Sequence, residues 1–294
     1  INLVTKSQME AHDLQYSVLA ELTKIEQAAM AISGSPWISP ALVAGQPQDL
    51  ANASSALSRY NRTFGLTDSF LLDNKGVVIA SSNWSSAYSD IGQEFTAAPY
   101  FATSMSGEPG YYLQIEFAPL QRCYYASFPV RNEEDIVIGV VVMKKSIDHL
   151  ENDFKRWPYC FLVDTNGNVF LSAQEKFLLH YMWPLSSALR EQVKASGQFG
   201  GTQLKEPLLS KEAFDGQGIS YQGENFLVIR QFFGHKGWSI IVWLWAKPLL
   251  WYRLFGIIAV LFLSVMVMVL FVAVRQRENL LSLVSAVNTQ LKTV

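Results

Sequence analysis

Apolar residues over positions 3–32 return at helical intervals. Leu14, Val18, Leu22, Ile25, Ala29 and Ile32 are spaced four, four, three, four and three apart, the period of one helix face. Gly34, Ser35 and Pro36 end the pattern. The stripe is longer than one small module buries alone, so it is expected to face a partner copy as well as its own domain. A second helical pattern covers 49–64, with Leu50, Leu57, Tyr60 and Phe64 on one face. The period then falls to two. Residues 68–73 and 77–81 read as a hairpin around Asn74-Lys75-Gly76. A short helical piece at 99–106 leads to strands at 111–117, 122–130 and 136–144, the last two joined by a solvated turn at 131–135.

The plan then repeats. Residues 70–81 read FLLDNKGVVIAS and residues 161–172 read FLVDTNGNVFLS, identical at six of twelve positions. The Asp ends the first strand and the Gly supplies the positive φ of the turn. A helical segment at 185–195 and strands at 220–222, 224–233 and 238–245 complete the second copy, with Gly234 to Gly237 turning the last pair. The expected fold is α+β: a long N-terminal helix, two tandem PAS-like antiparallel-sheet modules and one C-terminal transmembrane helix. The expected boundaries are 1–66 for the two leading helices, 67–150 and 151–246 for the modules, 247–276 for the membrane segment and 277–294 for the start of a cytoplasmic helix.

The membrane expectation rests on residues 254–274, LFGIIAVLFLSVMVMVLFVAV, which carry no charge and span about 31 Å as a helix. Trp251 and Tyr252 form an interfacial belt before it, and Arg275 and Arg277 follow, although Lys247 and Arg253 flank the other end. Beyond it, Leu280, Val284, Val287, Leu291 and Val294 make a short heptad seam. The chain of 294 residues opens on Ile1 with no signal-peptide pattern, so it reads as a fragment or a processed form. A net charge of −2 argues against nucleic acid as a partner. Cys123 and Cys160 are too far apart for a zinc motif and read as two small buried hydrophobes, or as a disulfide in an oxidising compartment. No phosphate loop, nucleophile elbow or HExxH helix is present, so no catalytic residue, cofactor or metal is expected.

Several stretches carry a family resemblance. Ala80-Ser81-Ser82-Asn83-Trp84, Pro99-Tyr100-Phe101, then Gly107, Gly110, Tyr112, Arg122-Cys123-Tyr124-Tyr125, Pro129-Val130 and the run from Gly139 to Lys144 occur in an order similar to that of four-carbon-dicarboxylate sensor histidine kinases. So do Val169 to Ser172, Pro184-Leu185-Ser186 and Gly237-Trp238. From about residue 14 onward the chain resembles the double Cache (tandem PAS-like) sensor region of bacterial transmembrane receptors. The resemblance implies a homodimer held by the N-terminal and cytoplasmic helices, set in a bacterial inner membrane with both modules periplasmic. It implies a small solute bound in the first, membrane-distal module. It implies an output of the kinase type, with a diguanylate cyclase or a chemoreceptor as alternatives. A membrane-anchored module that binds a protein partner is a reading from a different class.

Sensors of that family hold carboxylates with an arginine before Pro-Tyr-Phe, with small hydroxyl residues on a strand and with a lysine ending the Gly-Val-Val-Val strand. Here the lysine is Lys144, the arginine position is Ala98, and the hydroxyl stretch reads Glu116-Phe117-Ala118-Pro119. A bidentate donor is thus replaced and a negative charge introduced. The candidate ligand-binding residues are Trp84, Tyr100, Tyr112, Glu116, Arg122, Tyr124 and Lys144. The aromatic ones wall a pocket or fill a core. Glu116 and Lys144 anchor a ligand or pair with each other. Arg122 anchors an anion or faces water. His180, Tyr181 and Trp183 mark core packing or a second pocket. His149 joins the modules, outside the membrane, and His235 is a turn residue.

Overall fold

The computed structural model describes residues 3–117, 120–200, 202, 204–233 and 237–291, with the backbone alone at 3, 117, 120, 247–250, 252 and 282–291. Three helices lead: α1 (Leu3–Ser33), α2 (Ile38–Val43) and α3 (Pro47–Phe64). The first sheet comprises β1 (Asp68–Asp73), β2 (Val78–Ser81), β3 (Gly110–Phe117), β4 (Leu120–Arg131) and β5 (Val137–Ser146), with α4 (Pro99–Met105) inserted before β3. A short linker containing α5 (Glu151–Phe154) leads to β6 (Cys160–Val163), β7 (Val169–Ser172), α6 (Ser187–Ala195), β8 (Gly218–Tyr221), β9 (Glu224–Phe232) and β10 (Ser239–Trp245). Both sheets are built in one order, β2-β1-β5-β4-β3 and β7-β6-β10-β9-β8.

The duplicated phrase folds twice in the same way. Asp73 Oδ1 accepts from the amides of Lys75 and Val77, at 2.8 and 2.9 Å. Asp164 Oδ1 accepts from Asn166 and Asn168, at 2.9 and 2.8 Å. Each aspartate therefore closes its turn by satisfying backbone amides that the hairpin leaves free. Gly76 and Gly167 sit at φ 81° and 78°, where a Cβ is penalised. The pairing register slips at the matching place, Leu71/Leu72 in one copy and Leu162/Val163 in the other. Alternation along each strand then divides the side chains. Leu71 and Leu162 enter one core that runs through both modules beneath α1. Phe70 and Leu72 enter a separate core on the outer face of the first sheet, and Phe161 and Val163 their counterpart on the second.

Helix α1 lies against β4 and β5 of the first sheet and β9 of the second. Its whole stripe, Leu14 to Ile32, is between 0 and 8% exposed within one chain. The stripe is therefore not shared with a partner copy, because the two modules together supply enough surface to cover it. The opposite face carries Met9, Tyr16 and Met30, all exposed. Glu21 pins the helix to β5, accepting from Lys145 at 2.8 Å, with Lys24 at 3.0 Å and His149 Nε2 at 3.7 Å. The hydrogen bonds from Lys145 and Lys24 hold its carboxyl down at about 2. A depressed acid stabilises the fold above its unfolded pKa and loses that contribution as pH falls through the folded value. Melting of Glu21→Gln is therefore expected to show a shallower loss of stability between about pH 4.5 and pH 2 than the parent chain. Parallel curves would remove Glu21 from the acid response.

Cys123 and Cys160 are both buried and unbonded. Burial pushes the Cys123 thiol up to about 12 and the Cys160 thiol higher still. The second compact unit, from Trp245 onward, is the helix α7 (Ala246–Leu291). It contains Arg253–Leu281, the segment long and apolar enough to cross a membrane. The side chains of the seam beyond Leu281, and His235, lie outside the described residues.

Candidate functional site

The outer face of the first sheet gathers polar groups at one end. Register places Lys144 of β5 opposite Asp68 of β1 on one side and Tyr125 of β4 on the other. Tyr125 in turn pairs with Tyr112 of β3. Glu116 follows Tyr112 by four positions, an even step that returns it to the same face. Helix α4 begins at Pro99, whose fixed φ and missing N–H suit a first helical position. It lays Tyr100 across these strands, stacked on Tyr125 with ring centroids 5.0 Å apart and 6.2 Å from Tyr112.

The charges close on one another. Lys144 Nζ donates to Glu116 Oε2 at 2.7 Å and lies 3.5 Å from Asp68 Oδ2. The Tyr125 hydroxyl donates to Glu116 Oε1. The side chains of Lys144, Asp68 and Glu116 keep 13, 19 and 26% of their surface open, respectively. Burial draws the lysine pKa down, but the hydrogen bond and charge of Glu116 outweigh it, and the net shift is upward. Burial raises Asp68, with Lys144 only partly opposing it and Asp90 and Glu116 adding to it. Tyr100 and Tyr125 are raised out of the titrating range, first by burial and then by Glu116. The site holds neutral phenols, one ammonium and two carboxylates, with Asp90 close enough to act on both Asp68 and Tyr100.

Of the sequence candidates, Tyr100, Tyr112, Glu116 and Lys144 come together here. Three do not. Tyr124 is on the opposite face of β4, because neighbouring strand residues point apart. Its hydroxyl donates to Glu26 of α1 at 2.7 Å, inside the shared core. Arg122 is neither an open anion anchor nor solvent-facing: its guanidinium is bound by Asp148 and Glu151 of the linker. Trp84 is 51% exposed, in a loop tied at its neck by Asn83 and Asp90. Sequence reasoning missed Tyr125 and Asp68. The strand period was a signal for Asp68, two positions before Phe70 on the same face; Tyr125 needed more, because whether Tyr124 or Tyr125 meets the face of Tyr112 depends on the pairing of β3 with β4.

The repeat gives an internal control. Phe70 pairs with Val142, and Phe161 with Ile241. Two residues outward, Asp68 and Lys144 therefore match Tyr159 and Trp243, whose backbones are bonded at 2.9 Å. Around them lie Phe161, Phe177, Tyr221 and Phe226, with ring centroids 4.8 to 6.4 Å from that of Trp243. Where the first module has a polar cluster, the second is filled with aromatic rings. Tyr181 and Trp183 are buried as well, and His180 Nδ1 bonds the Glu206 carbonyl at 2.7 Å.

No protein-family profile matches the chain. Over 182 residues, 61% of its length, it is 30% identical to the C4-dicarboxylate transport sensor protein DctB of Pseudomonas aeruginosa, and the match covers 30% of that protein. The sensor domain of the V. cholerae histidine kinase DctB aligns over 83% of this chain and 97% of its own, with TM-score 0.71 and 24% identity. The ligand-binding domain of the Pseudomonas fluorescens chemoreceptor CtaA, solved with L-alanine, aligns over 83% and 97%, with TM-score 0.55 and 16% identity. The sensory domain of the Campylobacter jejuni chemoreceptor Tlp3 aligns over 83% and 91%, with TM-score 0.53 and 14% identity.

Proposed function

We propose that this chain, a double Cache sensor region by fold, is the extracytoplasmic input of a membrane-anchored receptor whose distal module binds a small solute through a cationic group. The carrying observation is the charge of the outer-face cluster. Lys144 is already matched by Glu116, Asp68 remains beside it, and Asp90 adds a third carboxylate nearby. A dicarboxylate would have to displace Glu116 and then face the remaining acids, without the arginine that Ala98 replaces. An ammonium would complete the charge balance. The filled aromatic counterpart around Trp243 supports the distal module as the binding end. In this reading the modules span 67–150 and 151–246, α7 crosses the membrane, and the output is of the kinase type, as in the DctB proteins. A chemoreceptor output has the support of the Tlp3 and CtaA folds.

The test is a melting series on the full chain in lipid nanodiscs with succinate, malate, L-alanine, 4-aminobutyrate and putrescine. A ligand at a hundredfold excess over its dissociation constant adds about 2.7 kcal/mol. At about 2–4 °C per kcal/mol for a domain of this size, that is a shift of about 5–11 °C. Shifts are expected from the amines or amino acids, and none from them in Asp68→Asn or Glu116→Gln. A shift from succinate or malate alone would restore the dicarboxylate reading. Silence from every compound would favour a module that binds a protein partner.

A further inference from the structure

The sheet order leaves β3 at the edge of the distal sheet, where its outward amides and carbonyls need partners. The proximal module supplies some. The Ile115 amide donates to the Gln198 carbonyl at 2.9 Å, and the Tyr112 hydroxyl donates to the Ser196 carbonyl at 3.3 Å. The Gln198 side chain continues the line, its Nε2 lying 3.4 Å from Asp164 Oδ2. Asp164 is the residue that closes the β6–β7 turn, and β6 is the strand paired to β10, after which the chain enters α7. A cavity of about 280 Å³ borders this contact, lined among others by Tyr112, Asp164, Gln192, Ser196 and Gln198.

We infer that β3 is the strand that carries the state of the distal site into the proximal module, with Tyr112 and Gln198 as its positioning residues. Tyr112 and Glu116 belong to the distal cluster and to β3 at once, so any change in the Glu116–Lys144 pairing acts on that edge. Two further side-chain contacts near the module boundary have a different character. Tyr124 meets Trp238 at a ring-centroid distance of 5.8 Å inside the shared core, and Arg122 is clamped by two carboxylates of the linker. Neither side chain belongs to the site, and a packed core resists small displacements. The β3 contact rests on a few hydrogen bonds beside open space, and such contacts rearrange at low cost.

This inference rests on the distal module being the sensing end, yet its test needs no ligand, so a failed melting series and a failed coupling are separate results. The distal site is perturbed by Lys144→Met in the full chain in nanodiscs, and amide hydrogen exchange is followed across residues 164–172 and 196–200. Exchange there is expected to rise about two- to tenfold, the range that follows from one lost hydrogen bond. In a Tyr112→Phe/Gln198→Ala background, which keeps the ring at 112 and the backbone at both positions, the same perturbation is expected to leave those segments unchanged. Two outcomes overturn the proposal. One is a response of equal size in both backgrounds, which would route coupling through α1 and the shared core. The other is a response confined to the distal sheet.

Discussion

Trp243→Ala is expected to lower the melting temperature more than any other single truncation considered for this chain. Trp243 is buried at the centre of the proximal outer core, against Tyr159, Phe161, Phe177, Tyr221 and Phe226. Removing a buried tryptophan costs about 3–5 kcal/mol, through lost transfer energy and the void it leaves. At about 2–4 °C per kcal/mol that is roughly 6–20 °C. The neighbouring rings are large and mutually packed, so relaxation into the void is limited, which favours the upper part of the range. Trp243→Phe is expected to cost less than half as much. Because Trp243 occupies the place that Lys144 holds in the distal module, the alanine variant reopens the site the proximal module fills. Dry apolar cavities accept apolar guests, and indole is expected to recover part of the lost melting temperature. A drop of under about 3 °C by circular dichroism would contradict the packing described.

Lys144→Met is the second large effect. Removing one partner of a buried ion pair leaves an uncompensated charge and costs about 3–5 kcal/mol when burial is complete. Here the three side chains keep 13 to 26% of their surface, and solvent screening reduces the expected cost to about 1–3 kcal/mol. The sign with pH follows from what remains. Without the ammonium, Asp68 loses the charge that partly opposes its burial, and the folded state favours its protonated form more strongly. Raised carboxyl pKa values stabilise the fold relatively at low pH. The gap between parent and variant is therefore expected to close as pH falls through the carboxylate range. Adding Glu116→Gln to Lys144→Met is expected to recover more than half of the loss at neutral pH. If the double variant is as unstable as the sum of the two single ones, the residues do not act as a pair.

How far the sequence reveals this molecule differs from element to element. The phrase at 70–81 and 161–172 is legible because a turn aspartate and a positive-φ glycine are local requirements, met in the same way at Asp73 and Gly76 and at Asp164 and Gly167. The α1 stripe is legible because helical period is local too. What covers that stripe is not, since it depends on two sheets distant in sequence. Strand order escapes for the same reason: β5 lies between β1 and β4, and nothing in an alternating pattern says which neighbour a strand takes. Helix α2 is six residues long and contains a proline, too short to show a period. At the site, Tyr124 and Tyr125 are alike in composition and differ only in which face they meet, a choice set by one step of register. Arg122 looks like a ligand anchor until Asp148 and Glu151 are brought to it by the turn after β5.

The core beneath α1 draws on both sheets without interruption, from Leu71 and Tyr124 through Phe154 to Leu162, Phe170 and Ile240. The two modules therefore have no separate heat-absorption events of their own. Neither copy of the duplicated unit could be excised as a stand-alone piece, since each would leave half of α1 facing water. The unit that ends at Leu244 is one cooperative body, with two different outer faces mounted on it.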